Sequence, residues 1–123
     1  MKSSVFLAIA AVVAFLFGLA FILAPIQTMT MYGVNLDASG QYIARYLGSA
    51  FIGIACITWL ARNADPKEKA ARAVITGGFV MSLTGFVVAL FDVFLGIGNS
   101  MVWSTVLIYL LLAFGFGNFQ FKK

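Results

Sequence analysis

The chain has 123 residues, of which 63% are hydrophobic and only 10% charged, and it carries a formal charge of +4. A soluble domain devotes roughly a quarter of its residues to charge, so a chain with a mean hydropathy of +1.03 cannot clothe a surface in water, and its apolar side chains must face lipid. Basic residues gather at the ends of apolar runs rather than in one patch, which excludes a nucleic-acid partner, and the absence of histidine beside a single cysteine, Cys56, removes the usual ligands of zinc, haem and iron–sulfur clusters.

A membrane-crossing helix needs about 20 apolar residues. Four such helices with short connections consume nearly the whole chain, and the continuous apolar runs lack the two-residue alternation of a membrane barrel. The first span is expected over residues 5–24, where Lys2 and the long apolar run resemble a signal peptide but exceed the usual length of its core; it ends at Pro25, which has no donor for a continuing helix. Residues 25–40 form the longest connection, with Ile26, Met29 and Tyr32 placed to lie flat at the membrane surface and Gly33, Asn35, Asp37 and Gly40 supplying turn chemistry. The second span covers 41–61 and contains Arg45. Asp65, Pro66 and Glu68 then read as a capped helix start, so the third helix is expected over 66–95, crossing from about Ala73 and holding Asp92 near its end. A turn at 96–100 leads into the fourth span, 101–117.

The flanking cations give the orientation. Lys2, Arg62, Lys67, Lys69, Arg72, Lys122 and Lys123 fall on one side of the alternating spans, and the two opposite connections hold no Lys or Arg. The expected architecture is an all-α, single-domain four-helix membrane bundle, up-down-up-down, with both termini on the cytoplasmic side.

Arg45 and Asp92 are the charges inside the spans. Each lies four residues from the same end of its helix, which at about 1.5 Å per residue sets both roughly 6 Å deep. Arg45 shares a helical stripe with Gly48, Ser49, Gly53 and Cys56, and Asp92 shares one with Ala89, Gly85, Ser82 and Gly78. Small residues on a stripe permit close helix approach, so the two charges are expected to meet in the bundle, either as an ion pair that fixes helix register or as the rim of a polar pocket completed by Tyr42, Tyr46, Asn99 and Ser100. Ala10, Ala14 and Gly18 form a further packing ridge on the first helix, while Phe114, Phe116, Phe119 and Phe121 suggest an interfacial anchor.

No nucleophile, base or metal set stands out, which points away from an enzyme. Small multidrug exporters carry an acid in their first helix, and this first helix has none. The run Ala24-Pro25, Tyr32-Gly33-Val34 and Arg45-Tyr46-Leu47-Gly48 followed by Gly53 resembles small four-helix bacterial membrane proteins of the DoxX-like superfamily, among them members without an assigned function. That resemblance implies a multi-pass protein of the bacterial inner membrane, with the family arginine at Arg45, and implies no reaction. The leading expectation is a non-catalytic accessory subunit, without cofactor, that assembles with itself or other membrane proteins. The alternative is a binder or carrier of a lipid or small apolar ligand at the Arg45 and Asp92 site.

Overall fold

The computed structural model describes residues 2–122 as five helices: α1 (Ser3–Leu23), α2 (Pro25–Met31), α3 (Ala38–Ala61), α4 (Lys69–Leu95) and α5 (Val102–Gln120). Four of them, all but α2, are long and apolar enough to cross a membrane. Among the described residues there is no strand. Lys123, one of the flanking cations, lies outside the described residues.

Several boundaries differ from the sequence reading, three of them for local reasons. The connection after α1 contains a helix of its own, because Pro25 takes the first helical position of α2, where its missing N–H costs nothing. α3 begins at Ala38, since the Asp37 carboxylate accepts from the Gly40 N–H at 2.8 Å and caps its first turn. α4 begins at Lys69 and not at Pro66: the Asp65 carboxylate accepts from the Lys67 N–H at 2.9 Å within the turn, leaving Glu68 as an N-cap without a side-chain bond. α5 runs on to Gln120, past the expected end at Gly117.

The helices associate as two pairs. α1 packs along α3 and α4 along α5, while the pairs meet one another only over short stretches. In the first pair the backbones approach closely at Gly18 and Gly48, where a Cβ on Gly48 would lie 2.8 Å from the Gly18 carbonyl oxygen. Ala10, Ala14 and Gly18 are buried on α1, and Ala44, Gly48, Ala55 and Thr58 are buried on α3. The ring of Phe21 stacks on Phe51 across the pair at 6.2 Å. In the second pair, glycines receive rings: Phe116 lies over Gly78 and Tyr109 over Gly85. Ser82 and Ala89 complete that buried stripe of α4, and the fully buried Ser82 hydroxyl has no hydrogen-bond partner.

At one end of the bundle the two pairs are joined by an apolar cluster of Phe6, Leu7, Ala10, Ile75, Phe116 and Phe119. Phe6 of α1 meets Phe116 of α5 edge to face at 4.8 Å. Phe116 and Phe119 are therefore core, whereas Phe114 and Phe121 remain exposed, so the aromatic run divides between two roles. At the same end Arg72 of α4 clamps the last turn of α5, donating to the Phe119 and Gln120 carbonyls at 2.8 and 2.7 Å and to the Gln120 side-chain oxygen at 3.0 Å. Thr76 donates to that same oxygen at 2.7 Å. Terminal carbonyls have no partner within their own helix, and a cation there also meets the negative end of the helix dipole. Replacing Arg72 with Met should lower stability by about 1.5–3 kcal/mol, the scale of a hydrogen bond to a charged group, and chemical denaturation in detergent would measure it.

Candidate functional site

The space left between the pairs is a cavity of about 760 Å³. This falls in the range of roughly 300–1,000 Å³ typical of ligand pockets. Its walls are apolar, built from Phe17 and Phe51 of the first pair and Met81, Ile108 and Leu112 of the second. Ala10 and Phe116 line it where the aromatic cluster joins the pairs. Met29, Tyr32 and Val34, together with Ile97 and Gly98, line it at the end of the α4–α5 turn. The polar groups on its surface are few: Thr58, Thr105, the Tyr32 and Tyr109 hydroxyls, and one carboxylate, Asp92.

The roof is held by backbone chemistry. The Asn99 N–H donates to the Tyr32 carbonyl at 2.8 Å and its side-chain amide donates to the Met31 carbonyl at 3.2 Å. Asn99 also accepts from the Met101 N–H at 2.9 Å, tying the start of α5 to the end of α2. Gly33 and Gly98 take left-handed conformations with φ of 74° and 79°. At Gly98 a Cβ would also stand 2.9 Å from the Tyr32 carbonyl oxygen, so glycine is required there twice over. Met29 and Tyr32, read from the sequence as surface residues, instead turn into the cavity, while Ile26 stays outside.

The expected meeting of Arg45 and Asp92 does not occur. Among the described residues no ion pair or side-chain hydrogen bond joins them. Asp92 is half-buried and faces the cavity, whereas Arg45 is exposed and lies outside the lining. The reason is the pairing of helices: α3 turns its Ala44–Gly48–Ala55 face to α1, so the expected stripe divides, with Gly48 packed on α1 and Arg45 turned outward. Ser49, Gly53 and Cys56 are accordingly exposed, and a Cβ on Gly53 would touch nothing within 4 Å. Tyr42 and Tyr46 stand on the same outward side, edge to face at 4.9 Å. Ser100 is exposed in the turn. Of the six residues expected to share a pocket, only Asp92 lines the cavity; Asn99 supports its roof.

A double-mutant cycle between Arg45→Gln and Asp92→Asn should therefore show additive effects on unfolding, within the roughly 0.3–0.5 kcal/mol typical of uncoupled sites. A coupling well above that value would restore the ion pair.

Fold and cleft together define an all-helical protein with four candidate membrane spans and a largely apolar cleft between helix pairs that carries one carboxylate. Comparison with known protein families, with characterised proteins and with solved structures returns no match for the chain.

Proposed function

We propose that this protein is a non-catalytic membrane protein that binds a small amphiphile in the cleft between its helix pairs. The observation that carries the reading is the placing of Asp92: a carboxylate without an ion-pair or hydrogen-bond partner among the described residues, on the wall of a largely apolar cavity of about 760 Å³. An unpaired charge within a membrane span is costly, and a ligand head that is cationic or donates hydrogen bonds offsets part of that cost. The apolar tail then fills the space along Met81, Ile108 and Leu112. Burial of the tail supplies affinity, and the head at Asp92 supplies orientation. Native mass spectrometry of the gently extracted protein tests this: a reproducible small adduct supports it, and a bare chain opposes it.

A second reading is favoured by the outward face of α3. Arg45, Ser49, Gly53 and Cys56 lie there exposed, and small residues beside a charge suit contact with another membrane helix. On this reading the protein is an accessory subunit that assembles with itself or with another membrane protein, and the same mass spectra would record the assembly. The two readings are compatible, since the cleft and the α3 face are different surfaces.

The orientation belongs to the proposal as well. The cations Lys2, Arg62, Lys67, Lys69, Arg72 and Lys122 support an up-down-up-down bundle with both termini in the cytoplasm, which sets the Asp92 end toward the outer side. The DoxX-like resemblance of residues 24–53 supports a bacterial inner-membrane location and rests on those residues alone.

A further inference from the structure

At the end of the bundle opposite Asp92 the structure holds a second hollow, of about 910 Å³, lined by Lys2, Arg62, Lys67, Arg72 and Lys122 against a single carboxylate, Asp65. These side chains come from both ends of the chain, the α3–α4 turn and the first turn of α4, so the fold brings together charges that are scattered in sequence. Two of the five cations are hydrogen-bonded to the protein, and Lys122 lies 5.9 Å over the Phe119 ring at the edge of cation–π range. Arg72 clamps α5, and Arg62 donates to the Trp59 carbonyl at 2.7 Å while lying 3.9 Å over the Trp59 ring. Lys2, Lys67 and Lys122 have no carboxylate within 4.0 Å among the described residues. Asp65 is itself occupied, one oxygen accepting from the Lys67 N–H.

Topology alone explains why basic residues lie at this end. It does not explain their convergence on one concavity, where like charges repel. Lys2 adds to the repulsion, because it stands at the N-cap of α1, whose first turn contains no acid and whose cap makes no side-chain bond. A cation is disfavoured at a helix N-terminus and an anion is favoured there. Among the described residues the lining thus sets five cations against one carboxylate. The hollow lies at the ends of the apolar helices, and basic hollows between membrane helices take phosphate headgroups.

We propose that this hollow binds a phosphate-bearing anion, with Lys67 and Lys122 contributing charge and the start of α1 contributing backbone donors. The proposal stands apart from the amphiphile cleft. The phosphate belongs either to an anionic lipid headgroup or to a soluble phosphate compound, and the test separates these sources. The full chain is placed in nanodiscs of phosphatidylcholine with and without phosphatidylglycerol, and the lipids it retains are counted by native mass spectrometry. The same chain in phosphatidylcholine alone is titrated with inorganic phosphate while its melting temperature is followed. A variant carrying Lys67→Gln and Lys122→Gln keeps both arginine clamps, and Lys2, Lys69 and the arginines still hold the orientation.

If the lipid is the source, the wild type retains phosphatidylglycerol about tenfold or more over phosphatidylcholine, and the variant loses most of that preference while melting within a few degrees of the wild type. If the source is soluble, phosphate raises the melting temperature of the wild type, not of the variant, and displaces any retained phosphatidylglycerol. No preference and no phosphate response would overturn the proposal, as would a response equal in the variant.

Discussion

Gly48→Leu should unfold the α1–α3 pair, whereas Gly53→Leu, little more than one turn along the same helix, should leave stability unchanged or slightly raised. At Gly48 the obstacle is backbone: the added Cβ would lie 2.8 Å from the Gly18 carbonyl oxygen and 3.2 Å from the Ile22 nitrogen. Neither atom can swing away as a side chain can, so the helix axes must separate along the Ala10–Ala14–Gly18 ridge. Overpacking a well-fitted contact costs about 1–3 kcal/mol and occasionally more, and this site belongs at the upper end. The better helix propensity of leucine, worth under about 1 kcal/mol over glycine, does not compensate. At Gly53 the space is open, so the propensity gain stands alone. Thermal melts of the two variants in one detergent compare them directly. Gly53→Leu also reports on assembly: if the outward α3 face meets a second subunit, the variant will lose the oligomer in size-exclusion chromatography while its own melt is kept.

Gly77→Phe should abolish amphiphile binding without loss of stability. Gly77 lines the cavity, and a Cβ placed there meets nothing within 4 Å. The substitution therefore directs a ring into empty space, removes a glycine from a helix interior and gains a few tenths of a kcal/mol in propensity. The ring takes the volume the ligand tail would use, so affinity should fall at least about tenfold, the equivalent of about 1.4 kcal/mol. Asp92→Asn changes charge but hardly changes shape. It should weaken a cationic amphiphile by about fivefold, given that hydrogen bonds to charged groups are worth roughly 1 kcal/mol more than neutral ones, and leave a neutral amphiphile nearly unaffected. Isothermal titration of the three proteins with an alkylammonium and an alkanol of equal chain length reads both effects. Loss of binding together with loss of fold in Gly77→Phe would contradict the account.

These contrasts also mark how far the fold was legible from residues alone. Four long apolar runs led to four long helices with ends shifted by a few residues, at Asp37 and Asp65 because a local bond intervened. α2 was not legible as a helix because Pro-Ile-Gln-Thr-Met-Thr-Met, with only Ile26 and Met29 at helical spacing, is too short for periodicity to register. The partners of the helices were not legible either. In water the apolar stripe of a helix marks its buried face, but α4 and α5 are apolar around most of their circumference, and lipid takes the faces that protein does not. α3 carries two stripes of small residues. The stripe expected to run from Arg45 through Gly48 to Cys56 divides between them: Gly48 joins Ala44 and Ala55 against α1, while Arg45, Ser49, Gly53 and Cys56 face outward. Arg45 is exposed on a long side chain, which can carry its head toward the membrane surface. Asp92 was recognisable as a residue of consequence, being the only acid within a span. The cavity beside it arises from the gap between two helix pairs, which no single residue encodes.

Photo-crosslinking of a single-chain alkylammonium with a diazirine in its tail tests the central claim most directly, because it reports where in the protein the tail lies. Label on Met81, Ile108 and Leu112, reduced in Gly77→Phe and displaced by excess unlabelled alkylammonium, is the result expected if the cleft is the binding site. Label confined to the lipid-facing Leu83, Val87 and Leu111, unchanged in that variant, would show that the amphiphile only coats the bundle and that the cleft does not bind it.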